Sequence, residues 1–77
     1  MRDDQIKKFF DIISSTLKVK PTKITLSTSP EDIISWDSMN HMCIVVALEN
    51  EFNISFNEDE LEKMIDVKSI FEIVSNK

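Results

Sequence analysis

Three side chains near the middle of the chain could do chemistry. They are Ser38, His41 and Cys43, within WDSMNHMC at 36–43. A serine hydroxyl there could attack a substrate, cap a helix or carry a modification. A serine hydrolase needs an aligned base, a third group behind it and an oxyanion hole, commonly on a Gly-x-Ser-x-Gly turn. This chain has no glycine, and its one histidine lies three positions after Ser38 on what reads as the same helix. His41 therefore reads as a surface residue of a first helical turn, and Cys43 as a small buried or half-buried apolar side chain. A single cysteine forms no intrachain disulfide and no cysteine-based metal site. The acids Glu58, Asp59, Glu60 and Glu62 lack the spacing and the glycine of a calcium loop. They read as charges favoured at the positive end of a helix. Modification is the reading that suits Ser38. A serine in a first helical turn is exposed beside unpaired backbone N–H groups, where a phosphate ester is favoured.

The elements that must position Ser38 read as four helices. The first spans about 4–17, with Ile6, Phe9, Phe10, Ile13 and Leu17 on one face and Asp3 or Asp4 as its cap. Pro21 ends it, because the residue before a proline avoids helical backbone. A polar stretch from Pro21 to Trp36 follows, anchored by Ile24, Leu26, Ile33 and Ile34. Within it, SPED at 29–32 reads as a short helical turn with proline at its first position. The second main helix runs from Ser38 to about Phe52 behind the N-cap Asp37. Its centre, MCIVVAL, is β-branched, but its length, its cap and the absence of Gly and Pro favour helix. Val45, Leu48 and Phe52 share a face, with Met39, Met42 and Val46 beside it. The methionines Met39, Met42 and Met64 suit either core filling or an adaptable binding surface. NISF at 53–56 is an extended link that buries Ile54 and Phe56. Asn57 and Glu60 form a capping box for a short helix over about 58–64. Asp66 caps a last helix over about 67–75, with Val67, Ile70, Phe71 and Val74 inward. The fold class is all-α, a small four-helix bundle with a long first connection.

The 77 residues, 42% of them hydrophobic, allow one domain over 1–77 with a modest core. The net charge of −5 is uneven. Residues 1–30 carry six basic and three acidic side chains, whereas residues 31–66 carry ten acids and only Lys63. That block argues against nucleic acid, which needs a basic surface. It would speed encounter with proteins that carry basic patches. No apolar run suggests a signal peptide or a membrane span, so a cytoplasmic location is expected; a monomer is expected as well.

Asp37-Ser38-Met39 heads a helix that ends ALENEF, and NISF and an acidic short helix come next. Over about residues 3–76 this resembles the acyl carrier proteins. The hallmark of that family is Asp-Ser-Leu at the start of the second of four helices. The resemblance implies that Ser38 carries 4'-phosphopantetheine from coenzyme A, attached by a phosphopantetheinyl transferase. The arm's thiol would hold acyl groups as thioesters, and the protein would be a substrate of partner enzymes rather than an enzyme. Partner recognition would fall to Asp37, Met39, Met42, Glu49 and Glu51. The partners would be an acyl ligase, a synthase or an acyltransferase with basic docking patches. Val46, Leu48, Phe52, Ile54, Leu61, Ile65 and Phe71 would form the core that in some members shelters an acyl chain.

The sequence departs from the carriers of fatty-acid synthesis in its recognition helix. Asn40 and Cys43 stand where those carriers usually have acids, and the usual glycine before the motif is absent. The turn MNHMC is therefore uncharged apart from any proton on His41. These departures imply a specialised carrier, serving modification of a sugar, a lipid or a secondary metabolite. An aminoacyl or peptidyl carrier is the alternative within the superfamily. A helical interaction domain without a covalent group is the alternative outside it.

Overall fold

The computed structural model describes residues 1–77 and is all-helical. Helix α1 spans Asp3–Leu17 and buries Phe9, Ile13 and Leu17, while Ile6 and Phe10 are half-buried. It begins one residue earlier than the cap expected at Asp3 or Asp4. Arg2 is the N-cap, and both acids fall in the first turn, where the helix dipole favours them. The N–H of Arg2 donates to Gln5 Oε1 at 3.0 Å. At the other end Lys18 takes the left-handed conformation, φ 59° and ψ 42°. Glycine usually fills that position, and this chain has none.

The connection to the next helix holds two 3-10 turns, Pro21–Lys23 and Pro30–Asp32. Asp32 Oδ2 accepts the Ser29 N–H at 2.9 Å, closing the second turn. Ile24 and Ile33 anchor the connection in the core. Leu26 and Ile34 do not; both are exposed, and Ile34 fully so, at 103%. Trp36, 5% exposed, is the large anchor instead. Ile34 directly follows buried Ile33 and turns out, while Leu26 follows the exposed Thr25 in a stretch with no regular period. Thr28 is also buried, and its carbonyl accepts the Val67 N–H at 3.1 Å.

Helix α2 is Ser38–Phe52, ending at Asn53, another residue with positive φ, 54°. Its inner face is Ile44, Val45 and Leu48. Helix α3 is Glu58–Lys63, and both halves of its capping box form: Glu60 N–H to Asn57 Oδ1 at 2.8 Å and Asn57 N–H to Glu60 Oε1 at 3.0 Å. Met64, just after α3, is core. Helix α4 is Val67–Ser75, capped by Asp66 Oδ1 on the Ser69 N–H at 2.8 Å. Phe9 packs edge-on against both Phe10 and Phe71, with centroids 5.3 and 5.2 Å apart.

Two expected core residues lie outside the core. Val46 is 50% exposed and Ile65 is 67% exposed. Val46 follows buried Val45, and one residue turns a helix by about 100°, away from α1. Ile65 sits in the link between α3 and the cap of α4, where it lies exposed. Leu48 is fully buried; Phe52, Ile54, Leu61 and Phe71 pack at the core's edge, and Phe56 is likewise only half-buried. No helix is long and apolar enough to cross a membrane.

Candidate functional site

Ser38 is the first residue of α2, and it is exposed. A chain of hydrogen bonds fixes the turn that presents it. Ser35 Oγ donates to the Leu17 carbonyl at 2.7 Å, tying the loop to the end of α1. The Ser35 carbonyl accepts Asn40 Nδ2–H at 2.7 Å, tying the loop forward to α2. Asp37 Oδ1 accepts the Asn40 N–H at 2.8 Å, and the Asp37 carbonyl accepts the His41 N–H at 2.8 Å. The amides of Ser38 and Met39 donate to no protein atom. The result is a serine hydroxyl held out at the positive end of a helix. Asn40, where the sequence showed only a missing acid, is a clamp.

Trp36 and His41 are the residues whose joint role the sequence hid. Trp36 Nε1–H donates to His41 Nδ1 at 3.1 Å. The two rings lie within 21° of parallel with centroids 6.2 Å apart, the spacing of rings joined side by side through an N–H···N bond. His41 is thus half-buried, not the free surface residue expected from its place in a first turn. Burial pushes its imidazole below the ordinary histidine value. No periodicity pointed to this pair, because a loop residue and a helix residue five apart have no repeating relation.

The same pair closes one side of a groove of about 450 Å³ that starts at Ser38. Pro30, Met42, Met64 and Ile65 line it, with Asp37 at its mouth. On the other side of Ser38, α2 presents an open apolar strip of about 750 Å³ over Met39, Met42, Cys43, Val46 and Ala47. Met39 is 77% exposed there, and Met42 and Cys43 are exposed too. The expectation that Cys43 is buried or half-buried is therefore corrected: it lies on the outer face of α2, opposite Ile44 and Val45. Glu49 and Glu51 stand at the far end of the helix, and Glu49 Oε2 already accepts the Phe56 N–H at 3.0 Å.

Chemically, Ser38 is a nucleophile without a base. The one nearby imidazole spends its lone pair on Trp36. No three His, Cys, Asp or Glu side chains converge to hold a metal ion. The hydroxyl is therefore exposed at a helix start with no base aligned on it.

No protein-family model matches the chain. An acyl carrier protein of Petrotoga mobilis is 32% identical over 76 residues, which span 99% of this chain and 89% of that one. An acyl carrier protein of Buchnera aphidicola is 34% identical over 71 residues, spanning 92% and 90%. The solution NMR structure of a holo acyl carrier protein from Geobacter metallireducens matches with a TM-score of 0.82 and 31% identity, over 92% of this chain and 82% of that one. Similarity at this level along nearly the whole length, together with a shared helical fold, shows that the chain belongs to the acyl carrier protein family.

Proposed function

We propose that this acyl carrier protein works through a 4'-phosphopantetheine arm on Ser38, in a specialised biosynthetic pathway. The observation that carries the reading is the exposed Ser38 hydroxyl at the start of an Asp37-capped helix. The residues present fit the group. Two unpaired amides and the helix dipole suit an anionic ester on the serine. Ser38 Oγ would attack the β-phosphate of coenzyme A inside a phosphopantetheinyl transferase. The new Oγ–P bond forms as the pyrophosphate bond breaks, adenosine 3',5'-bisphosphate leaves, and a base of the transferase takes the hydroxyl proton. When bound, the group supplies a thiol on which acyl cargo is carried as a thioester.

The chain's own residues then serve partners. Met39 and Met42 offer exposed apolar contacts beside Ser38. Asp37, Glu49 and Glu51 offer charge to synthases, acyl ligases or acyltransferases with basic patches. The uncharged MNHMC turn favours a dedicated partner set over the enzymes of primary fatty-acid synthesis. It also favours, as a second reading, aminoacyl or peptidyl cargo. Assays with acyl and aminoacyl ligases separate the two cargo classes.

The deciding experiment is the intact mass before and after incubation with coenzyme A and a broad-specificity transferase. A gain of one phosphopantetheine that maps to Ser38 and vanishes in Ser38→Ala is expected. No gain, with the transferase active on a control carrier, would replace this reading with an unmodified interaction domain. Complementation of an essential fatty-acid carrier would refute the specialised assignment alone.

A further inference from the structure

The groove beside Ser38 contains a donor that the fold leaves unpaired. Indole Nε1–H can only donate, and in Trp36 it is aimed at His41 Nδ1 at 3.1 Å. Nδ1 must therefore be the bare nitrogen, so Nε2 carries the hydrogen. A second proton on Nδ1 would meet the indole N–H head-on, and burial also disfavours the imidazolium. That bond is the only one the His41 side chain makes. No buried side-chain nitrogen or oxygen lacks a partner, so the Nε2–H opens to solvent. His41 and Ser38 line the same groove. They are three residues apart on α2, hence neighbours on one face. Helical side chains lean toward the helix N-terminus, which carries the imidazole toward Ser38. Trp36 is buried, so the clamp on the ring is a rigid one.

We propose that His41 is a positioning residue for the arm: its Nε2–H donates to a phosphodiester oxygen of the 4'-phosphopantetheine on Ser38, and Trp36 holds the imidazole in the one tautomer that can do so. The inference rests on the carrier reading above. It gives the arm a starting direction, along the groove walled by Pro30, Met42, Met64 and Ile65 and away from the open strip on the outer face of α2. Asp37 is the one carboxylate lining that groove, and its Oδ1 is engaged by the Asn40 N–H. Glu31, Lys63 and Asp66 flank the other wall in sequence. All four are the same in the apo and holo proteins, so a change at His41 between those forms reports the arm.

His41 is the only histidine, so its imidazole nitrogen signals in NMR need no assignment. The test compares apo and holo protein, the holo form verified by mass, in titrations followed by imidazole nitrogen-15 and phosphorus-31 NMR. The expected apo signal is the Nε2–H tautomer, mixed with the other form in Trp36→Phe. On arm attachment the His41 midpoint should rise, because an anion beside the ring favours the imidazolium. A phosphodiester does not itself titrate near neutrality, so a phosphorus inflection at the His41 midpoint reports contact. That inflection should be lost in holo His41→Phe and the holo resonance position recovered in His41→Gln, whose amide can donate. An unchanged His41 midpoint in a protein that carries the arm, or an inflection that persists in His41→Phe, overturns the positioning role and leaves the carrier reading standing. Absence of any mass gain with active transferase overturns both.

Discussion

Asp37 and Ser38 are adjacent, exposed and polar, yet their removal should have opposite consequences. Asp37 Oδ1 accepts the Asn40 N–H at 2.8 Å. Truncating an N-cap costs about 1 kcal/mol, and loss of a charge at the helix start adds about 0.3–1 kcal/mol. Asp37→Ala should therefore lose about 1–2 kcal/mol. In a domain of this size each kcal/mol moves the melting temperature by about 4–8 °C, so the fall is about 4–16 °C. Asp37→Asn keeps the acceptor and loses only the charge, so it should lie between Ala and the parent. Ser38 makes no side-chain hydrogen bond and is not a cap, so Ser38→Ala should stay within about 0.5 kcal/mol of the parent. The assay is thermal and urea unfolding followed by far-ultraviolet circular dichroism, with two-state behaviour checked by coincident probes. If Asp37→Ala melts within a degree or two of the parent, or Ser38→Ala loses as much as Asp37→Ala, the division of labour argued for this turn is wrong. The functional contrast runs the other way, since only Ser38→Ala should abolish arm loading outright.

Two neighbours in α2 give a further contrast: Val45→Asp buries an unpaired charge and should unfold the protein, whereas Val46→Asp should leave the urea midpoint nearly unchanged. Lys18→Gly should stabilise by about 0.5–1 kcal/mol, because it relieves a left-handed lysine at φ 59°; a loss on calorimetry would contradict the strain. Acid should weaken the fold below about pH 4, because the Ser69 N–H and hydroxyl hold the Asp66 carboxyl below the usual carboxylate range. The folded state then binds fewer protons than the unfolded one, so stability present above the unfolded value is lost as pH falls through the folded one. Asp66→Asn, still a good cap, should flatten that part of the urea-midpoint profile. In the apo protein His41 has the same sign at higher pH: its folded value is lowered, so stability should fall as pH drops below about 6.5, and His41→Gln should remove that slope.

The sequence alone carried three of the four helix starts, because caps are local chemistry; the first, capped by Arg2 rather than an aspartate, was read a residue or two late. Asp37, Asn57 and Asp66 each satisfy an amide three residues on, and those bonds form as read. Pro30 likewise opens the short turn read at 29–32, whereas the turn that Pro21 opens was not read. The family was legible because Asp-Ser-Met at a capped helix start came together with the chain's length, its helix order and its acidic second half. Burial was less legible. Helix α2 is apolar around most of its girth, so its pattern names no inner face, and only packing against α1 decided that Ile44, Val45 and Leu48 turn in while Cys43 and Val46 turn out. The loop before it has no period at all, so Trp36 in, Ile34 out and the bond from Trp36 to His41 had to come from the fold. Caps and turns are settled by atoms a few residues apart. Which apolar side chain loses its water, and which polar one finds a partner, depends on what a distant segment places against it.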